Sequence, residues 1–142
     1  MNKDVKKART IEALKAANLY EVFRIQDKED FVLFQTEQNI KTGRCLITLD
    51  IDDSVFNSIY FFLGNLDNPG KKEKMLALMN EFNKDGLLIK YFLDDNNAIM
   101  ARIVYIVENE DFNGEFFVEL STTAFNIISN KHYQQIMRLM WA

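Results

Sequence analysis

The sequence is poor in the residues from which recognisable active sites are built. Its 142 residues include one cysteine, Cys45, and one histidine, His132. A zinc site takes three or four Cys, His or carboxylate ligands at set spacing, and no such set can be written here. A lone thiol closes no disulfide within the chain, so nothing calls for an oxidising compartment. The five glycines are scattered at positions 43, 64, 70, 86 and 114. Neither G-x-G-x-x-G nor G-x-x-x-x-G-K can be assembled from them, which leaves no phosphate-cradling loop. No serine sits in a G-x-S-x-G elbow. No metal, cofactor or catalytic residue is expected.

Long apolar runs are also missing. None exceeds Ile59-Tyr60-Phe61-Phe62-Leu63, whereas a membrane-spanning helix needs about 20 residues. The first twenty residues are amphipathic and charged, so no secretory leader is expected, and the cytoplasm is the expected location. Excess positive charge is absent too. Net charge is −4, and a chain that neutralises phosphates is normally basic, so no nucleic-acid or membrane partner is expected. Two basic clusters, Lys3, Lys6, Lys7 and Arg9 near the start and Lys71, Lys72 and Lys74 further on, read as solvated helix faces.

What the chain does have is apolar and aromatic bulk. The hydrophobic fraction is 48%, with twelve Phe and five Tyr, enough for one core in a single domain over residues 1–142. Periodicity sets the order of elements. Val5, Ala8, Ile11 and Leu14 repeat at helical spacing over residues 4 to 17, with Asn18 as the stop. The period then changes to two. Strands are expected over 20–26 and 31–36, through Cys45, Ile47, Leu49 and Ile51, and over 55–63. Asn68-Pro69-Gly70 opens a helix through Met75, Leu78, Met79 and Phe82, and Gly86, free to take positive φ, closes it. Two further strands, 87–93 and 98–108, flank the Asp94–Asn97 turn. A helical stretch through Phe117, Leu120, Ala124, Ile127 and Ile128 follows, and Tyr133, Ile136, Met137 and Met140 continue it as either one bent helix or two.

The resulting order, α-β-β-β-β-α-β-β-α, is that of an α+β domain with one antiparallel sheet of five or six strands. The 69–84 helix should lie on the sheet face bearing Ile47, Leu49, Ile89 and Ile103. Cys45 shares that parity and reads as buried and inert, and His132, beside Asn130-Lys131, reads as a solvated helix residue. Asp50, Asp52 and Asp53 lack the glycine of a calcium loop. They read as turn formers, as do Asp94-Asp95 and the Glu108, Glu110, Asp111 group.

The opposite parity holds the unexpected feature. Tyr60 and Phe62 share it with Ser58, Phe92 shares it with Lys90, and Met100, Val104 and Ile106 share it with Arg102. A second sheet face this apolar is rarely left wet. Its six residues are therefore the candidate partner-binding or dimer surface, covered by the Tyr133–Trp141 tail, a second copy or another protein.

The stretch from Lys74 to Glu108 resembles the YbjN-type domain, a family described as sensory transduction regulators. An apolar helix ends in Asn-x-x-Asn, here Asn80 and Asn83. A strand of Lys-aromatic-x-aliphatic-Asp character follows, here Lys90, Tyr91, Phe92, Leu93 and Asp94, and then an apolar strand and a long C-terminal helix. The lead-in Asn68-Pro69-Gly70 departs from the simpler polar lead of relatives. That family is similar in fold to the class I chaperones of type III secretion, which are small, acidic and usually dimeric. The resemblance implies no catalytic residues. It implies a non-enzymatic, chaperone-like or regulatory module that binds a protein partner of unknown identity, with homodimerisation possible. The alternatives are a small enzyme with an unrecognised site, or a phage or accessory inhibitor.

Overall fold

A computed structural model describes residues 2–142. Helix α1 (Asn2–Ala16) leads, and strands β1 (Arg24–Asp27), β2 (Phe31–Ile40), β3 (Gly43–Asp52) and β4 (Phe56–Asn65) follow as successive hairpins. Helix α2 (Lys72–Asp85), the hairpin β5 (Lys90–Leu93) and β6 (Ala98–Ile106), and helices α3 (Gly114–Ile127) and α4 (Tyr133–Trp141) complete the chain. The strands form one antiparallel sheet in the order β1-β2-β3-β4-β6-β5. The protein is an α+β fold with six strands, in the order that the hydrophobic periodicity implies.

Alternation divides the sheet into two faces. One carries Val32, Phe34, Cys45, Ile47, Leu49, Ile51, Ile59, Phe61, Ile99 and Ile103, all buried. Helix residues Leu14, Met75, Met79, Phe82, Phe117, Ile128 and Ile136 join the same cluster. All the helices therefore lie on one side of the sheet. Helix α2 lies on the expected face but at its edge, where it packs mainly against β5, while α1 reaches β2 and β3.

Several local expectations give way to specific hydrogen bonds. The 20–26 strand begins only at Arg24, because Tyr20–Val22 closes a 3₁₀ turn. Val22 N–H donates to the Leu19 carbonyl and Phe23 N–H to that of Tyr20, after Asn18 has stopped α1 at φ 59°. Gly86 has φ −105° and so takes no positive angle. The α2 terminus is instead pinned by Asn83, whose side chain accepts from Tyr91 N–H at 2.7 Å and donates to the Tyr91 carbonyl at 3.0 Å. Lys90 Nζ adds bonds to the Asn83 and Gly86 carbonyls. Those bonds start β5 at Lys90 rather than 87 and leave the Leu87 side chain almost fully exposed on the loop before it. Strand β4 runs past Leu63 through a bulge at Gly64, whose φ of +135° favours glycine.

The C-terminal helix is one continuous element in which a π-helical turn, Ile128–His132, joins α3 to α4. Its end, Tyr133 to Trp141, does not cover the second sheet face. Tyr133 and Ile136 are buried on the helix side, and Lys71 Nζ donates to the Met140 and Ala142 carbonyls. The N-terminal basic cluster is likewise not a solvated face. Lys6 is completely buried, with Nζ donating to the carbonyls of Asp52, at 2.9 Å, and Ser54. Lys3 and Lys7 pair with Asp27, and Arg9 holds the Glu110 and Phe112 carbonyls. These cations tie α1 to the β1–β2 and β3–β4 turns and to the loop before α3.

Candidate functional site

The second sheet face is built row by row from the strand register, since directly opposed residues in an antiparallel ladder point the same way. Leu46 opposes Phe62, Phe62 opposes Met100, and Met100 opposes Phe92. This gives one apolar row across β3, β4, β6 and β5. The next row is Thr48, Tyr60, Arg102 and Lys90, the one after it Asp50, Ser58 and Val104, and Phe56 faces Ile106 at the far end. All six residues singled out by parity, Tyr60, Phe62, Phe92, Met100, Val104 and Ile106, thus share a single surface. Leu46 and Phe56 belong to it as well. Their alternation carried the signal, but the β3 parity of Leu46 also holds Arg44 and Asp50 and reads as solvated.

No helix among the described residues covers this face. Ile106 is 63% exposed, Phe56 56% and Val104 40%. Tyr60, Phe62, Phe92, Met100 and Leu46 shield one another only in part and remain half-buried. The Arg102 guanidinium lies 5.5 Å from the centre of the Phe92 ring, a cation–π contact that keeps its charge over the apolar row. On β3, burial pushes the Asp50 carboxyl above its usual range, and the Asp52 charge adds to the rise. Asp50 and Arg102 stand outside the ion pairs of the described residues, which on this face join Glu37 to Arg44.

A second feature lies on the helix side. A groove of about 620 Å³ between α2 and the π turn is lined by Leu78, Phe82, Leu88, Ile127, Lys131 and His132 among others. His132 is not a solvated residue. Its ring stacks on Phe82 at 4.1 Å, and its Nδ1 lies 2.7 Å from the Tyr91 hydroxyl. Burial, and secondarily the Cys45 sulfur, raise the Tyr91 pKa, so the phenol keeps its proton in this hydrogen bond. Burial, and secondarily the charge of Lys131, lower the His132 pKa. The imidazole packs between the Phe82 and Tyr91 rings.

The other chemistry-bearing residues serve the fold. Cys45 is buried, and desolvation pushes its thiol up to about 12. Asp52 Oδ1 accepts from Ser54 N–H and Oγ, and Asp94 Oδ1 accepts from the Asn96 and Ala98 N–H groups. Both are turn-forming bonds. Among the described residues no three His, Cys, Asp or Glu side chains group to hold a metal ion, and no helix is long and apolar enough to cross a membrane. Searches against known protein families and against curated proteins return no match.

Proposed function

We propose that this chain is a non-enzymatic protein-binding module, chaperone-like or regulatory, that engages a polypeptide through its open sheet face. The observation that carries the reading is the aromatic and aliphatic surface across β3, β4, β6 and β5, left uncovered by every helix. Contiguous apolar surface of this kind on a folded chain marks an interaction site. Its composition is that of an interface centre, with Phe, Tyr, Met and Arg prominent and few other charges. The face presents no basic stripe, which favours protein over nucleic acid. A non-catalytic role is supported by how the polar groups are used. Asp52 and Asp94 cap turns, Lys6 holds carbonyls, and His132 packs on Phe82. The likeness of residues 74–108 to the YbjN-type domain points the same way.

The test is paired affinity capture from the native host with the intact chain and with Phe92→Glu/Met100→Lys, which sets opposite charges on the directly opposed pair. Both positions are half-buried on the open face, so the variant should keep its circular dichroism spectrum. A polypeptide retained by the intact chain and lost by the variant is the expected result. Equal retention by both would place binding elsewhere and overturn the reading.

A further inference from the structure

We infer that a partner protein adds an extended, apolar segment to the sheet as a further strand beside the second half of β6, in line with β5. The inference rests on the open face being a protein-binding surface, because Val104 and Ile106 belong both to that face and to this edge.

The edge follows from the direction of the ladder bonds. In a strand the N–H and C=O of one residue point to the same side, and those of the next residue to the other. Val107 N–H donates to the Val55 carbonyl at 3.0 Å, and the Tyr105 carbonyl accepts from Asn57 Nδ2 at 3.0 Å. The odd-numbered residues of β6 therefore address β4. The even-numbered ones address β5, as the bond from Asp94 N–H to the Ala98 carbonyl shows at the turn. Strand β5 reaches no further than the Lys90–Arg102 pair. The N–H and C=O groups of Val104 and Ile106 consequently face outward with no strand beside them.

Nothing in the sequence blunts this stretch. Exposed edges are usually protected by charge, proline or a bulge, yet residues 103–107 read Ile-Val-Tyr-Ile-Val. The other half-open edge is different. Strand β1 pairs only with residues 32–35 of β2, and Thr36-Glu37-Gln38-Asn39 beyond it is polar. Side chains complete the site on β6. Val104 and Ile106 are 40% and 63% exposed on the open face, and Phe116, whose ring meets Tyr105 at 5.3 Å, is 45% exposed on the helix side. A strand laid here would meet apolar groups with both of its alternating faces.

Charge names the partner's chemistry. Glu108, Glu110 and Asp111 follow β6 directly, exposed and outside the ion pairs of the described residues. Arg102, the cation at the other end, lies over the Phe92 ring. The segment that fits is apolar at alternate positions and basic at the end beside Glu108. A second copy fits less well, since its net charge is −4 and it would bring the same carboxylates to the edge.

The experiment is amide hydrogen exchange of the intact chain, followed by NMR, with and without the synthetic peptide Lys-Lys-Ile-Thr-Val-Thr-Ile. In the free chain the Val104 and Ile106 amides should exchange faster than those of Ile103 and Tyr105. Saturating peptide should slow the two outward amides by roughly tenfold or more. Of the two alternately N-methylated forms of the peptide, the one methylated toward β6 should not bind. Val104→Pro removes an outward donor and no bond to β4, so it should keep its circular dichroism spectrum. It should weaken peptide binding by roughly tenfold or more. Outward amides already slow in the free chain, protection of other residues instead, or no binding at millimolar peptide would each overturn the inference. So would slowing that appears without peptide as chain concentration rises, which gives the edge to a second copy. The open-face reading fails separately. A host polypeptide captured equally by Val104→Pro and the intact chain, but lost by Phe92→Glu/Met100→Lys, overturns strand addition and leaves that reading standing.

Discussion

Cys45 and Phe82 are the residues whose roles follow most directly from burial. The Cys45 thiol lies on the core side of β3, where low polarity holds its pKa near 12. Thiol reagents should label it slowly in the native protein at neutral pH and at the free-cysteine rate in denaturant. Rapid native labelling would contradict the strand assignment. Phe82 anchors the rings of Tyr91 and His132, at 5.1 and 4.1 Å. Phe82→Ala should cost about 3 to 5 kcal/mol in denaturant unfolding. His132 adds a pH dependence whose sign is fixed by its lowered pKa. The fold favours the neutral ring, so this contribution is complete above the unfolded value of about 6.5 and is lost as pH falls below it. Comparing unfolding at pH 7.5 and pH 5.5 should show a smaller loss for His132→Phe than for the native chain. The same loss in both would mean that the ring is not held as described. Cys45 was legible because strict alternation on β3 fixes its side. His132 was not, since the polar Asn130-Lys131 beside it gives no hint of a π turn that rotates the imidazole onto Phe82. Lys6 was hidden in the same way, because its partners are backbone carbonyls 46 and 48 residues away.

At the scale of elements, two junctions decide how the helical layer sits. Gly114 starts α3 against α1 so closely that an added Cβ would lie 2.3 Å from the Arg9 carbonyl oxygen. Backbone cannot swing aside as a side chain can. Gly114→Ala should therefore destabilise by about 1 to 3 kcal/mol, measurable as a lowered denaturation midpoint at unchanged slope. The second junction is the tail. Tyr133 and Ile136 are buried in the common core, so ending the chain after Lys131 should cost more than about 3 kcal/mol from the lost burial of these two side chains alone. A truncated chain with native unfolding behaviour would contradict that packing. The order of elements was readable because each long segment keeps one period. The element ends were not. Asn83 ties α2 to β5 through side-chain bonds, and the 3₁₀ turn at Tyr20–Val22 follows from Asn18 turning left-handed. Neither leaves a trace in periodicity.

For the molecule as a whole, the asymmetry between the sheet's two faces is what matters. Every helix packs on one of them, and the other keeps Phe56, Tyr60, Phe62, Phe92, Met100, Val104 and Ile106 at or near the surface. Parity alone places these residues together, because each strand repeats its two-residue alternation without interruption until the bulge at Gly64. What parity could not reveal is which face the tail chooses, since the Ile136, Met137 and Met140 stripe would match either. The buried positions of Tyr133 and Ile136 on the helix side decide it, and leave the apolar face open. The most direct test of that face as a protein-binding surface is site-specific photocrosslinking in the native host. A photoreactive phenylalanine analogue would replace Tyr60, at the centre of the face, and separately Glu119, on the outer side of α3. The account predicts discrete protein adducts from position 60, whether to a second copy or to another chain, and none from position 119. Adducts from position 119 alone, or from neither position, would contradict it.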